Sequence, residues 1–181
     1  MTTSPNEQSA AVFLDRDGTI MRDAEYLADP KGVEIFAGAP AALRKLKAAG
    51  YKICIITNQS GIGRGYFTEE QYRAVQAEVT RQIGPGVIDA TYHCPELPES
   101  GAPCRKPAPG MILQAQRDHR IDLSRSFMIG DKLIDALCGR NAGVRTILVQ
   151  TGIEQREGRS EADWDVPDLT AAAEIILRHG V

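Results

Sequence analysis

The sequence predicts an α/β fold, a three-layer Rossmann-like arrangement in which a parallel sheet lies between two layers of helices. Short apolar runs alternate along the chain with segments of helical periodicity, as right-handed strand–helix–strand crossovers require. The runs are apolar at successive positions, which is typical of strands that helices cover on both faces. A length of 181 residues favours a single domain that is large enough to bury a core.

Taken in order, five apolar runs predict the strands, at Ala11–Leu14, Ile53–Thr57, Ala90–Cys94, Phe127–Gly130 and Thr146–Val149. Five segments with helical spacing predict the helices, at Pro40–Ala49, Glu69–Gln82, Gly110–His119, Lys132–Ala142 and Leu169–Arg178. Pro40 suits the first turn of its helix, and Gly50 and Gly143 suit the ends of theirs. No repeat or low-complexity linker interrupts residues 11–181, which are therefore predicted to form one domain.

Charge and hydropathy narrow the partners that the chain is expected to have. A formal net charge of −3 and a pI near 5.7 give no basis for a nucleic-acid partner. No apolar stretch approaches the ~20 residues that span a bilayer. Residues 1–10 are polar and lack a signal-peptide pattern, so we expect a disordered segment at the start of a cytoplasmic, monomeric protein. Cys54 and Cys138 are expected to pack as small apolar side chains.

Two carboxylates, Asp15 and Asp17, follow the first strand directly and precede a Gly-Thr turn. The carboxyl ends of parallel strands form the edge at which such sheets bind ligands. Because residues i and i+2 of an extended chain point to the same side, both carboxylates can face one site. Two anions so close together favour a shared cation such as Mg²⁺, although the pair alone is also typical of solvated turn residues.

Three further motifs follow in a fixed order. They are Ile56-Thr57-Asn58, Arg105-Lys106-Pro107 and Ile129-Gly130-Asp131, the last followed by Asp135. A hydroxyl and an ammonium group that reach one phosphoryl group stabilise it by hydrogen bonding and charge. Alone, Thr57 suits a strand-end cap and Lys106 a solvated loop charge, but their order after the carboxylates favours catalysis. Asp135, one helical turn beyond Asp131, is expected to orient Lys106 or a metal-bound water, with a helix-surface carboxylate as the alternative.

Together these motifs resemble the haloacid dehalogenase-like phosphatases. The longer strings FLDRDGTI, TNQSGIGRGYF, CRKPAPGM and GDKLIDA are similar to the histidinol-phosphatase/heptose-bisphosphatase branch of that superfamily, over residues 11–150. Within the branch, residues 57–67 most resemble the heptose-bisphosphatases. The resemblance implies a Mg²⁺-dependent phosphatase for a small phosphorylated sugar, a heptose 1,7-bisphosphate used in nucleotide-activated heptose synthesis for surface polysaccharide. A phosphatase for histidinol phosphate or for another small sugar phosphate is the alternative.

The resemblance also implies a role for each motif residue. Asp15 is expected to be the nucleophile, and Asp17 the acid and base that protonates the leaving oxygen and then activates water. Mg²⁺ is expected to be held by Asp15, Asp131 and the main-chain carbonyl of Asp17. Thr57 and Lys106 are expected to bind the phosphoryl group. All five residues are present, which argues against a catalytically idle sugar-phosphate-binding domain.

The spacing leaves no room for an inserted cap domain between Asp17 and Thr57 or between Thr57 and Lys106, where related enzymes carry one. Selectivity must then come from the surrounding loops. Arg105 and Arg64 are the expected readers of a second phosphate, because the arginine fork binds phosphate bidentately. A mobile surface charge is the alternative for Arg64. The remaining substrate-binding candidates are Asp23, Tyr26, Asn58, Gln59, Ser60 and Lys132.

Members of this branch often carry a structural zinc on the loop before Lys106, held by a C-x-H and a C-x-C pair. Cys94 and Cys104 match two of those positions. Glu96 stands in place of the histidine, and Ala102 in place of a cysteine. A structural zinc takes four nitrogen or sulfur ligands, and this loop offers three at most. We therefore expect no zinc, and we expect the two cysteines to pair or to remain free thiols.

Overall fold

A six-stranded parallel sheet organises the computed structural model of the chain, which describes residues 8–153 and 160–180. The strands are β1 (Ala11–Leu14), β2 (Lys52–Asn58), β3 (Ala90–Cys94), β4 (Phe127–Gly130), β5 (Arg145–Val149) and β6 (Trp164–Val166). The α-helices are α1 (Ala39–Ala48), α2 (Ser60–Gly63), α3 (Glu69–Ile83), α4 (Gly110–His119), α5 (Leu133–Ala142) and α6 (Leu169–His179). The strand order is β3-β2-β1-β4-β5-β6, so the direction of strand succession reverses beside the central β1.

Side chains alternate along the central strand, and each face of the sheet carries its own apolar core. Val12 and Leu14 pack with α1, α3 and α6 on one face, whereas Ala11 and Phe13 pack with α4 and α5 on the other. All four side chains are fully buried. The predicted three-layer α/β fold is therefore confirmed.

Each predicted strand and helix is present, with ends that differ by at most one residue. Gly50 and Gly143 follow the helices they were expected to end, and both adopt a positive φ, of 93° and 79°. The sequence pattern predicted neither β6 nor α2. These elements have three and four residues, too few to carry a strand or helix periodicity, and β6 pairs only with β5 at the sheet edge.

The start of the chain differs in part from the predicted disordered segment of residues 1–10. Residues 1–7 lie outside the described residues. Ser9, in contrast, donates its main-chain N–H to the Arg120 carbonyl and accepts the N–H of Asp122 at 2.9 Å. The segment before β1 is therefore tied to the turn before β4, because main-chain groups there complete each other's hydrogen bonds.

Both free cysteines are buried as expected, with Cys54 and Cys138 packed in the core that α4 and α5 cover. Burial raises the pKa of each thiol to about 12, which keeps both in the unreactive neutral form. Within residues 8–153 and 160–180, no helix combines the length and apolarity needed to cross a membrane.

The two intervals in which a cap domain was excluded lie wholly within the described residues. Between Asp17 and Thr57 the chain forms a short 3₁₀ turn, α1 and β2. Between Thr57 and Lys106 it forms α2, α3, β3 and a second 3₁₀ turn. These elements belong to the sheet, to its covering layers and to short turns, so neither interval contains a cap domain.

Replacing the fully buried Leu46 of α1 with alanine should lower the free energy of unfolding by about 2–5 kcal/mol, because the lost atoms leave a cavity. At this chain length the loss corresponds to a fall in melting temperature of about 4–20 °C. Leu177→Ala on α6 is the matched control, since Leu177 is 38% exposed and its loss should cost under about 1 kcal/mol. Thermal and urea denaturation measure both, and equal losses would contradict the packing of α1 described above.

Candidate active site

A cavity of about 280 Å³ opens at the carboxyl edge of the sheet, beside the ends of β1 and β2. Its wall contains most of the residues predicted to form the site, namely Asp15, Asp17, Asp23, Tyr26, Thr57, Asn58, Gln59, Ser60, Arg105, Lys106 and Lys132. Asp131 is buried close to Asp15, at the end of β4. Arg64 is exposed on the loop after α2 and is not part of the wall.

The turn after β1 determines where the first two carboxylates lie. The N–H of Asp15 donates to the Ile129 carbonyl of β4 at 2.9 Å, so this residue is held between two strands. Gly18 follows with a φ of 82°, a conformation that favours glycine. A Cβ atom at Gly18 would also lie 2.5 Å from Asp131 Oδ2. Only glycine therefore lets the turn pass this close to the Asp131 carboxylate.

Lys106 is the centre of a buried ion cluster. Its Nζ donates to Asp15 Oδ1 and to Asp135 Oδ1, each at 2.7 Å, and to the Ile56 carbonyl at 3.1 Å. All three charged side chains are buried. Burial alone would lower the pKa of Lys106, but the Asp135 and Asp15 carboxylates outweigh it and raise the pKa. The lysine therefore stays cationic beside Asp15.

Asp135 contacts the lysine and is not a helix-surface carboxylate, since it is only 1% exposed. Its Oδ1 accepts from Lys106 Nζ, and its Oδ2 accepts the main-chain N–H of Lys132 at 3.0 Å, at the start of α5. A Cβ atom at Gly130 would lie 2.2 Å from that of Asp135, so the glycine allows α5 to begin against the strand end. This contact matches the predicted orienting of Lys106.

Three carboxylates form a group that can hold a metal ion. One oxygen from each of Asp15, Asp131 and Asp135 lies within 4.8 Å of the others. Burial, together with repulsion from Asp15 and Asp135, raises the pKa of Asp131 to about 8. A divalent cation would relieve this repulsion, and hard carboxylate oxygens suit Mg²⁺. Because both oxygens of Asp135 already accept hydrogen bonds, Asp15 and Asp131 fit best as ligands.

The Asp17 carboxylate is held from two sides. Arg16 Nη2 lies 3.0 Å from Asp17 Oδ2, and Gln59 Nε2 donates to the same oxygen at 2.9 Å. Although the Asp17 side chain keeps 21% exposure, burial raises its pKa; Arg16 opposes this shift and Asp15 adds to it. A raised pKa suits a carboxyl group that has to deliver a proton.

Gln59 and Asn58 contact other site residues directly. Gln59 Nε2 also lies 2.9 Å from Thr57 Oγ1, so the amide links the Thr57 hydroxyl to Asp17. The Asn58 side chain accepts the N–H of Lys106 at 3.1 Å and donates to its carbonyl at 3.2 Å. The end of β2 thus fixes the main chain from which the lysine extends.

Arg105 lies at the outer part of the cavity. Its Nη1 donates to the Glu96 carbonyl at 2.8 Å. Burial lowers the pKa of Arg105, and the charge of Arg64 lowers it further. The Glu99 carboxylate opposes this shift, so Arg105 feels charges of both signs. Across the mouth, Lys132 Nζ lies 3.4 Å from Asp23 Oδ2.

Tyr26 contacts a second aromatic residue that the sequence analysis did not single out. Its ring packs edge-on against Tyr66, with the ring centroids 4.8 Å apart, and both rings are exposed. Glu25 and Tyr26 adopt positive φ angles of 44° and 56°, which are uncommon for residues other than glycine. Tyr66 lies in the string TNQSGIGRGYF, which resembles the family, and its place in that string was the signal that could have identified it.

Cys94 and Cys104 form a disulfide, with their Cα atoms 5.6 Å apart. Pairing was one of the two outcomes expected for these thiols. The bond joins the end of β3 to the residue before Arg105. Glu96, which replaces the histidine of related proteins, contributes its carbonyl to Arg105. The absence of a structural zinc stays a prediction.

Arg16 is the site residue that the sequence analysis missed. Strand alternation sends Asp15 and Asp17 to one side and Arg16 to the other, so the period-two pattern pointed away from the site. The structure instead turns the Arg16 side chain onto Asp17. An arginine between two carboxylates was the signal in the sequence that could have identified it.

Comparisons with known proteins agree with this geometry. Residues 103–172 match a family model described as HAD-hydrolase-like. The D-glycero-beta-D-manno-heptose-1,7-bisphosphate 7-phosphatase of Pasteurella multocida is 39% identical over 176 residues, covering 92% of this chain and 96% of the relative. The protein of the same name from Helicobacter pylori strain J99 is 44% identical over 145 residues, covering 78% of this chain and 83% of the relative.

A solved structure supports the same grouping. The D,D-heptose 1,7-bisphosphate phosphatase from B. bronchiseptica, crystallised with magnesium and phosphate, matches with a TM-score of 0.85 at 33% identity. The match covers 93% of this chain and 98% of that one. The chain therefore belongs to the D-glycero-D-manno-heptose-1,7-bisphosphate 7-phosphatase family of haloacid dehalogenase-like phosphatases, which are phosphomonoester hydrolases.

Proposed function

We propose that this chain removes the 7-phosphate of D-glycero-D-manno-heptose 1,7-bisphosphate through an aspartyl-phosphate on Asp15, with Mg²⁺ as cofactor. The observation that carries the proposal is the buried contact of Asp15 with Lys106, beside the second carboxylate of Asp131. It combines an anionic nucleophile, a cation for the phosphoryl oxygens and a metal-binding group at the floor of one open cavity. The names of the relatives support the choice of sugar.

The residues of the site divide the reaction into two displacements. An Asp15 oxygen attacks phosphorus while the bond from phosphorus to the sugar oxygen breaks, and Asp17 gives that oxygen its proton. Thr57 and Lys106 donate hydrogen bonds to the phosphoryl group while it is transferred. Asp17, now a base, then takes a proton from the water that hydrolyses the aspartyl-phosphate. Inorganic phosphate leaves and Asp15 is restored.

Mg²⁺ supplies charge neutralisation of the phosphoryl group when it is bound. Asp15, Asp131 and the main-chain carbonyl of Asp17 would hold it. The magnesium and phosphate bound by the B. bronchiseptica relative support this assignment. Asp135, whose two oxygens bind Lys106 and the N–H of Lys132, would instead keep the lysine in position.

Arg105 and Arg64 would bind the phosphate that is not removed. Arg105 belongs to the cavity wall and Arg64 is exposed outside it, and the repulsion between these two charges favours a second anionic group near them. A substrate with a cationic amine, such as histidinol phosphate, would be disfavoured by the same two charges. The bisphosphate is therefore the better match for this wall.

Asp15→Asn should abolish phosphate release, because an amide is neither a nucleophile nor an anionic ligand. Asp17→Asn should lower kcat by about 10²–10⁴-fold while Mg²⁺ binding is kept, since its proposed metal ligand is the main-chain carbonyl. Phosphate release from the bisphosphate with Mg²⁺ measures both. Asp118→Asn, which changes a carboxylate outside the cavity wall, is the matched control. Near-normal turnover of Asp15→Asn would refute the aspartyl-phosphate.

Arg105→Ala should lower kcat/KM for the bisphosphate by roughly 10- to 100-fold, the equivalent of a charge-assisted contact of about 1.5–3 kcal/mol. p-Nitrophenyl phosphate, which has no second anion, should be nearly unaffected. Lys106→Ala should damage both substrates. The assays use both anomers of the heptose bisphosphate, fructose 1,6-bisphosphate and histidinol phosphate, and exposed Arg117→Ala on α4 is the control. Equal losses in Arg105→Ala would mean that Arg105 serves the transferred phosphoryl group.

Removing Mg²⁺ with a chelator should stop turnover, and adding Mg²⁺ should restore it. Asp131→Asn should raise the Mg²⁺ concentration for half-maximal activity by more than about 10-fold, because it removes an anionic ligand. Asp135→Asn should act mainly on stability, since breaking a buried ion pair costs about 3–5 kcal/mol. Mg²⁺ titrations and melting curves distinguish the two. The reverse pattern would exchange the roles proposed for these carboxylates.

A further inference from the structure

We propose that Arg16 is a positioning residue for Asp17, holding its carboxyl group at the angle from which the proton reaches the leaving oxygen. The proposal rests on the acid–base role proposed for Asp17 and adds the residue that orients it. Three independent features of Arg16 support it: the contact itself, the depth of its burial and the ring against which it lies.

The contact uses one whole edge of the guanidinium group. Arg16 Nη2 lies 3.0 and 3.1 Å from the two oxygens of Asp17, and Nε lies 3.2 and 3.3 Å from them. Neighbouring residues of an extended chain point to opposite sides, so this contact exists only because the chain turns after β1. A two-nitrogen contact restrains the tilt of a carboxylate as well as its distance. Gln59 adds a third restraint from the other side.

The depth of burial argues against a purely structural role. Arg16 is 1% exposed and is among the largest fully buried side chains of the described residues. Burying a guanidinium group is costly unless its donors are satisfied. Yet Nη1 is a buried nitrogen without a hydrogen-bond partner among residues 8–153 and 160–180. The donors that face Asp17 are satisfied instead, so the arginine is placed for that one contact.

An aromatic layer supports the guanidinium group. Arg16 Cζ lies 5.5 Å from the ring centroid of Tyr72, which α3 presents from the neighbouring helical layer. The Tyr72 ring packs in turn on His93 of β3, with 4.2 Å between centroids, and His93 contacts Glu69 at 3.1 Å. The buried Tyr72 hydroxyl has no hydrogen-bond partner in the described part of the chain. The ring, and not the hydroxyl, is therefore what supports Arg16.

The test compares leaving groups, because a misplaced proton donor harms only the substrates that need a proton. Alkyl phosphates such as the heptose bisphosphate release a strongly basic alkoxide, whereas p-nitrophenol departs without help. kcat/KM reports the steps up to transfer onto Asp15. Arg16→Met should lower kcat/KM about 10- to 100-fold for the bisphosphate, within the range of general acid catalysis, and leave p-nitrophenyl phosphate within about threefold. Across a series of aryl phosphates, kcat/KM of Arg16→Met should depend more steeply on leaving-group basicity than kcat/KM of the unsubstituted protein.

A double-mutant cycle ties the effect to Asp17. In an Asp17→Asn background, Arg16→Met should cause no further loss, because there is no proton donor left to position. Tyr72→Phe should leave both substrates unchanged, whereas Tyr72→Leu should reproduce the selective loss in weaker form. Arg145→Met is the matched control, since Arg145 also lies over an aromatic ring, Phe127 at 3.9 Å, at the opposite edge of the sheet.

Several outcomes would overturn the proposal. A loss equal for all leaving groups would make Arg16 a structural residue, and additive losses in the cycle would mean that it acts apart from Asp17. Should Arg16→Met not fold, Arg16→Lys keeps the charge without the two-nitrogen contact and must show the same selective loss. If Asp17→Asn itself shows no dependence on the leaving group, the proposed acid role of Asp17 fails first. That result is distinguishable from a failure of Arg16 alone.

Discussion

The site depends on an imbalance of buried charge around Lys106. Asp15, Asp131 and Asp135 bring three carboxylates within reach of one another, and the Lys106 ammonium group forms ion pairs with two of them. In their ionised forms, three negative charges and one positive charge leave a net charge of −2, which a divalent cation would balance. Burial, together with repulsion from Asp15 and Asp135, raises the pKa of Asp131 to about 8. A bound divalent cation would relieve this repulsion.

The sheet order is what brings these charges together. β1 lies between β2 and β4, so the residues after β1 and β4 and at the end of β2 meet at one edge. Lys106 lies in the loop between β3 and α4, and two restraints hold the main chain of this loop in place. The Asn58 side chain binds its main chain on one side, and the Cys94–Cys104 disulfide ties the preceding residues to β3. The main chain at Lys106 is thereby restrained from β2 and, through the disulfide, from β3.

The sequence predicted what depends on periodicity and on ordered motifs. Apolar runs located five of the six strands, and the D-x-D pattern, Thr57 and Asp131 came together with Lys106 as the order of the motifs implied. The features that the sequence did not predict depend on the path of single turns or on very short elements. Arg16 was missed because alternation points it away from Asp17, whereas the chain bends at Arg16 and brings the two side chains together. β6 was missed because three residues have no measurable period.

The proposed selection of substrate depends on the loops around the cavity. No cap domain is inserted between residues 17 and 106, all of which are described. In the proposed function, groups at the rim then have to distinguish the substrate. Tyr26 meets Tyr66 there, and Tyr26 adopts a positive φ of 56°, which is uncommon outside glycine. Arg105 adds charge on the same rim. In the proposed function, this rim would distinguish substrates by a second anion more than by the shape of the sugar.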